Sequence, residues 1–276
     1  MTAYINDRFV TGEEATLHVS DLSVQRGYAV FDFFRTIKGI PLFLVDHLDR
    51  FYSSAKGFHL EIRKSREEIK NIIFELISRS GIEEAGIRMT LTGGYSTDTY
   101  TPAETNLIIT CNPVKTASAN DFEKGIAAIT YEYQRDLPQI KSINYQHAVW
   151  LQPLLKEKKA DDVIYYKNNI ITEFPRSNIF IVTPDGILAT PLHNVLAGIT
   201  RKHIIALSAN IESAEIRDIS KEELLSASEV FLTSTTRKII PIVSIDNKIT
   251  GSGKPGMITR KLYQLFLELE KTELIS

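Results

Sequence analysis

A single cysteine, Cys111, stands in 276 residues, so neither an intramolecular disulfide nor a thiolate zinc site can be assembled from this chain. Such a residue reads as a small buried apolar group. Glycine (14) and proline (10) are too few for a collagen-like or low-complexity chain, and 43% hydrophobic with 24% charged residues is ordinary globular composition. Neither sign of charge is in excess. Thirty-two Lys plus Arg against 34 Asp plus Glu gives a net charge of -2, which excludes a general pull toward nucleic acid or an anionic membrane. No stretch approaches the roughly 20 apolar residues of a membrane span. Asn6, Asp7 and Arg8 stand where a secretory leader needs an apolar run. The expectation is a cytoplasmic protein with no metal site, no nucleic-acid partner and no membrane partner. Its length is about 1.8 times the roughly 150-residue domain prior, so one large or two modest domains are expected.

The pattern along the chain is mixed α and β. Residues 4–10 predict a hairpin with Asn6-Asp7 at its tip, and residues 41–44 a short strand. Asp46 is a candidate cap for a helix whose Leu48, Phe51, Tyr52 and Ala55 share one face, with Gly57 placed to end it. A second helix opens at Ser65, three residues before Glu68 in capping-box spacing, and stops near Gly81. Residues 87–92 and 106–111 read as strands, joined by a long polar loop over 93–102. Small unpatterned residues over 112–120 mark the best linker. Beyond it the pattern predicts strands at 126–133, 162–166, 178–182, 230–232 and 239–243. Helices are predicted at 144–158, 200–208 and 261–269, with a second capping box at Ser220 and Glu223.

Four features exceed patterning. Lys141 lies among Leu137, Ile140 and Ile143; most lysines are solvated, but a desolvated one has a lowered pKa and becomes an amine nucleophile. Glu173, with Ser177 and Asn178 close behind, interrupts two apolar strand-like runs. That cluster serves equally as a turn between strands. Gly198-Ile199-Thr200 opens a predicted helix, whose free N–H groups suit an anion. Thr233-Ser234-Thr235-Thr236 follows the apolar strand, where four hydroxyls suit phosphate oxygens or a plain turn. Taken together, an amine, an acid and a phosphate cup are what pyridoxal 5'-phosphate demands. Arg50 adds a charge-assisted phosphate contact.

In the order of these segments the chain resembles the fold-type IV (class IV) pyridoxal-phosphate family, which groups D-amino acid aminotransferases, branched-chain aminotransferases and aminodeoxychorismate lyases. The likeness runs through Arg26-Gly27-Tyr28, the 46–50 segment ending in Arg50, Lys141-Ser142-Ile143-Asn144, Glu173 with Ser177-Asn178, residues 196–201, and Ser234-Thr235-Thr236. It implies an α+β, two-domain enzyme. A smaller N-terminal α/β domain would cover 1–115, a linker 116–120, and a larger C-terminal cofactor domain with a β-barrel-like core 121–276. A homodimer is implied, its active site between the domains and partly lined by the other subunit. By resemblance Lys141 is the Schiff-base lysine, and Glu173 pairs with the pyridine nitrogen. Leu196 packs on the cofactor ring, while Arg50, Ile199, Thr200, Ser234 and Thr235 hold the phosphate.

Departures from the family concern the substrate. The Gly-Asp-Gly segment of better-known members reads Phe31-Asp32-Phe33 here and is followed by Phe34-Arg35-Thr36. The Arg-x-His with which some D-amino acid aminotransferases trap the α-carboxylate is absent from the 95–100 loop. A carboxylate still needs a cationic partner, preferably bidentate arginine. Arg26, Arg88 and Arg176 are the candidates. The expected activity is transfer of an amino group from an amino acid, D-amino acids favoured, to a 2-oxo acid. Aminodeoxychorismate lyase, branched-chain L-amino acid aminotransferase and an inactive domain keeping the fold are the alternatives.

Overall fold

The computed structural model describes residues 2–211 and 214–275. Their contacts define two compact units. One holds the chain up to Lys115 together with Ile140–Asn144, and the other holds Thr116–Gln139 and Tyr145–Ile275.

The first unit opens with β1 (Thr2–Ile5) and β2 (Arg8–Thr11), joined through Asn6 and Asp7, both at positive φ. That two-residue turn matches the twist of the flanking strands. There follow α1 (Leu22–Arg26), β3 (Ala29–Ile37), β4 (Ile40–Pro41), α2 (Leu44–Gly57), α3 (Arg66–Ser80), β5 (Ala85–Thr92) and β6 (Leu107–Pro113). The strands form one six-stranded sheet in the order β2-β1-β6-β5-β3-β4. Both halves of the Ser65–Glu68 capping box are made, and Gly81 ends α3 in the left-handed region.

The start of α2 differs from expectation. Phe43, left-handed at φ 52, occupies the cap position and Asp46 lies inside the first turn, where its negative charge still complements the positive end of the helix dipole. That left-handed residue also breaks the strand predicted over 41–44, of which only Pro41 remains in β4.

Because side chains alternate along a strand, β3 sends Val30, Asp32, Phe34 and Thr36 to one face of the sheet and Phe31, Phe33 and Arg35 to the other. Val30 and Phe34 pack with Leu48 and Phe51 of α2 and Ile69 and Ile73 of α3 into the core of this unit. Asp32 therefore lies on the apolar, helix-covered face, at 0% exposure. Cys111 is buried in the same core, as its solitary occurrence suggests.

The second unit contains α4 (Ala119–Lys124), β7 (Ile126–Glu132), α5 (Gln146–Trp150), α6 (Gln152–Lys158), β8 (Asp162–Lys167), β9 (Ile170–Ile171), β10 (Asn178–Val182), β11 (Leu188–Thr190) and α7 (Ile199–Ser208). It continues with β12 (Glu215–Ile216), α8 (Lys221–Ser226), β13 (Glu229–Ser234), β14 (Lys238–Ile245), β15 (Lys248–Ile249) and α9 (Met257–Glu273). A nine-stranded sheet runs β12-β11-β10-β13-β14-β7-β8-β9, with β15 beside β14. It mixes antiparallel ladders with parallel pairs at β7·β8, β7·β14 and β11·β12.

Four local expectations are corrected here. The stretch expected to be unpatterned over 112–120 is shorter, since β6 continues through Pro113 and Ser118 caps α4 in a full capping box with Asp121. The single helix expected over 144–158 is two, meeting at Leu151, because Pro153 at the start of α6 has no N–H to continue the ladder. Ser220 caps α8, but the Glu223 carboxylate turns to Arg217 instead of closing the box. The closing helix is longer than 261–269, for the Glu229 carboxylate caps the amides of Ile258 and Thr259 and starts it earlier. Among the described residues no helix is long and apolar enough to cross a membrane, and no group of His, Cys, Asp and Glu is placed to hold a metal.

Candidate active site

Two polar clusters, one in each unit, gather most of the residues singled out by sequence. In the first, the buried Asp32 carboxylate receives Arg50 through Nε at 2.7 Å and Nη2 at 2.9 Å. His47 Nδ1 donates to the same carboxylate at 2.6 Å. Burial by itself would raise the Asp32 pKa; the Arg50 charge and the hydrogen bonds from Arg50 and His47 outweigh it and hold the carboxyl well below the usual carboxylate range. Burial lowers the pKa of His47 despite the pull of Asp32, and Arg50 and Lys141 add repulsion. One carboxylate cannot neutralise two buried cations, so His47 is the neutral member.

Lys141 joins this cluster through its main chain. Its carbonyl accepts the Phe31 N–H at 2.9 Å, Ile143 N–H reaches Ala29 O at 3.1 Å, and Val30 and Ser142 form an antiparallel bridge. The Lys141 N–H donates to Ser54 Oγ of α2 at 3.1 Å. The Lys141 Nζ lies 4.7 Å from the centre of the Phe31 ring, and the Arg88 guanidinium carbon 3.8 Å from the same centre. Both are cation–π distances. The bulky departure from the family's glycine is thus the surface against which two of the expected cations rest.

In the second cluster Glu173 is 4% exposed. Its Oε1 receives Arg135 Nε at 2.8 Å and Oε2 the Leu196 N–H at 3.0 Å, with Asn178 Nδ2 at 3.5 Å. Asn178 also donates to Leu196 O at 2.8 Å. Arg135, Leu196 and Asn178 are thus donors to the Glu173 carboxylate. Gly198 leaves room for this network, since a Cβ there would fall 1.9 Å from Asn178 Oδ1. The same glycine caps α7, which makes no side-chain cap bond and begins at the buried Ile199 and Thr200.

Across β10 and β13, Asn178 stands opposite Thr233, so the two side chains share a sheet face. Thr233 Oγ1 and Ser177 Oγ are buried and have no hydrogen-bond partner among the described residues. Buried hydroxyls are normally satisfied. Beside an anion-accepting helix start and a fully held carboxylate, two idle hydroxyls suit a phosphate-bearing heteroaromatic ring.

The remaining expected residues have exposed or half-buried positions with other contacts. Arg26 is exposed and donates to Gln25 O and to Thr99 Oγ1 of the 93–102 loop. Arg176 is exposed in the turn closed by the Phe174–Ser177 bridge. Ser234 is half-buried and its hydroxyl accepts the Arg237 N–H at 3.4 Å, while Thr235 is half-buried in the following turn. Sequence reasoning did not single out Asp32, His47, Ser54 or Arg135 as site residues. A charge inside the apolar run 29–34 is the one local signal among them, because a buried carboxylate demands partners.

Three comparisons bear on this geometry. The family model for amino-transferase class IV matches residues 29–245. D-alanine aminotransferase of Bacillus licheniformis is 30% identical over 272 residues, covering 95% of this chain and 94% of its own. A putative branched-chain-amino-acid aminotransferase of Methanocaldococcus jannaschii is 29% identical over 282 residues, covering 98% and 96%. Among solved structures, the branched-chain amino acid aminotransferase of Escherichia coli superposes with a TM-score of 0.90 at 27% identity, over 99% of this chain and 95% of that one.

Proposed function

The chain belongs to the class IV aminotransferases and is a transaminase of the fold-type IV architecture, and from that premise we propose that it binds pyridoxal 5'-phosphate and moves amino groups from D-amino acids to 2-oxo acids. The observation that carries the cofactor is the pair of buried, unpartnered hydroxyls of Ser177 and Thr233 beside the Glu173 network. When bound, the cofactor supplies an aldehyde that captures an amine and a ring that takes up electrons from the α-carbon.

The protein's own groups divide the remaining work. Lys141 Nζ is the amine that holds the cofactor covalently and, once displaced by substrate, carries the proton at the α-carbon. Glu173, kept as a carboxylate by Arg135, Leu196 and Asn178, holds a proton on the ring nitrogen. Arg50, the N–H groups of Ile199 and Thr200, Ser234 and Thr235 take the phosphate, and Leu196 packs on the ring. Arg88, Arg26 and Arg176 are the cations for the substrate carboxylate. Arg88 has the strongest support, since it rests on the same aromatic ring as Lys141. Preference for D-amino acids is supported by the D-alanine aminotransferase similarity. A branched-chain L-amino acid reading is supported by the Methanocaldococcus jannaschii and Escherichia coli relatives. The proposal includes a homodimer acting in the cytoplasm; the one buried cysteine suits a reducing compartment.

Mixing the purified protein with pyridoxal 5'-phosphate is expected to turn it yellow, and borohydride to fix the added mass on Lys141. On unreduced enzyme, D-alanine is expected to discharge the colour faster than L-leucine. A colourless protein, or label on another lysine, contradicts the cofactor assignment, and faster discharge by L-leucine hands the substrate to the second reading. Replacing Arg88 with Ala is expected to raise KM for the amino acid by roughly tenfold to 100-fold, the value of one charge-assisted bond. Cofactor affinity should change by less than about threefold. Equal loss of both would remove Arg88 from the substrate site.

A further inference from the structure

Lys141 sits in a strap, residues 140–143, laid against β3 on the side away from β5. Both main-chain polar groups of Lys141 are engaged, the carbonyl by Phe31 N–H at 2.9 Å and the N–H by Ser54 Oγ at 3.1 Å. Ser54 is 2% exposed. It follows Arg50 by four residues on α2, one helical turn, so the two side chains lie on one face. Gly57 continues that face and admits the strap. A Cβ there would come within 2.9 Å of Ile140 Cδ1.

On the strand side the arrangement repeats. Phe31, whose amide holds Lys141, is followed directly by Asp32, whose carboxylate grips Arg50. Two consecutive strand residues and two helix residues one turn apart therefore fix the main chain of the lysine and the guanidinium together. A rigid ligand bonded to the lysine at one end and to the arginine at the other tolerates little change in that spacing.

We propose that Ser54 is a positioning residue for Lys141: its hydroxyl ties the lysine's main chain to the helix turn that carries Arg50, and so sets the distance between the amine and the phosphate-binding guanidinium. This rests on the reading of Lys141 as the amine that takes the cofactor. Ser54 touches neither the amine nor the reacting atoms, so its effect is indirect.

Three measurements on Ser54→Ala and Ser54→Thr test it. In the cofactor-free wild-type protein the Lys141 amide should exchange slowly with solvent. In Ser54→Ala it should exchange at least about tenfold faster, while amides of β5 keep their rates. In the loaded enzyme Ser54→Ala should lower kcat by on the order of tenfold with KM for the amino donor within about twofold. It should also move the pH midpoint at which the colour of the bound cofactor titrates. Ser54→Thr, which keeps the acceptor, should restore kcat and the midpoint. An unprotected Lys141 amide in the wild type overturns the proposal even if Ser54→Ala fails to fold. So does Ser54→Ala with unaltered exchange and kcat, or equal damage in both variants. Borohydride labelling of the wild type, run alongside, separates two failures. Label elsewhere than Lys141 removes the cofactor assignment and this inference with it, whereas label on Lys141 with unaffected Ser54 variants removes only the role of Ser54.

Discussion

Lys141→Ala is expected to lower kcat by on the order of 10⁴-fold and to leave the fold intact. The amine has two duties under the proposed function, holding the cofactor and moving the α-proton, and general acid–base catalysis alone contributes about 10²–10⁴. The structural loss is modest, because the side chain is only half-buried and rests in cation–π contact with Phe31. Such a cation–π contact is worth about 0.5–1 kcal/mol at an exposed site. Lys141→Arg separates charge from chemistry. It keeps a cation over Phe31 but has no amine to bond the cofactor, so it should be as inactive as the alanine variant. Partial recovery of Lys141→Ala by added small primary amines, measured as kcat against amine concentration, would show that the missing group is the amine. A Lys141→Ala enzyme within tenfold of wild type would remove Lys141 from the chemistry.

Asp32→Ala is the largest expected loss of stability, about 3–5 kcal/mol, the cost of breaking a buried pair and leaving its cation uncompensated. Arg50 and His47 both lean on this carboxylate. Denaturant unfolding should show a lower midpoint with an unchanged slope. A change below about 1 kcal/mol would mean that Arg50 finds another anion. Acid should act on the same cluster. Since the folded pKa of Asp32 is depressed, the stability it contributes is present above about 3.9 and fades as pH falls below it. The pKa of His47 is depressed too, so the unfolded chain takes up its proton first and stability declines as pH drops below about 6.5. Burial also depresses His147. His47→Gln should therefore flatten the decline of stability between pH 7 and 5. An identical slope in wild type and variant would contradict a neutral buried His47.

How far the sequence was legible depended on distance along the chain. The Ser65–Glu68 box and Gly81 announce α3 because helix caps act over three or four residues. The span of β10 over 178–182 was readable from the apolar run Ile179-Phe180-Ile181-Val182. Lys141 and Glu173 stood out as charges among apolar neighbours, a local contrast. Their supports did not stand out, because Ser54 is 87 residues from Lys141 and Arg135 is 38 from Glu173. Only the folded chain brings them within reach. Asp32 occupies an intermediate place: it was visible as an acid between two phenylalanines, yet its partners lie 15 and 18 residues on, along one face of α2. The break at Leu151 shows the converse. There Pro153 was in plain view, and a helical pattern long enough to run through it concealed the stop.

The strap at 140–144 also bears on the order in which this protein can mature. A nascent chain that has reached only Lys115 has β1 to β6 and both packing helices. It still has the Phe31 amide, the Ala29 carbonyl and the Ser54 hydroxyl waiting for residues that have not been made. Contacts of such long sequence separation form late, since the loop must close before they stabilise anything. The reactive amine thus arrives in its place after the scaffold that receives it. A docked Lys141 is in this sense a mark that synthesis has passed the strap, and a cofactor that requires it is loaded only after that point.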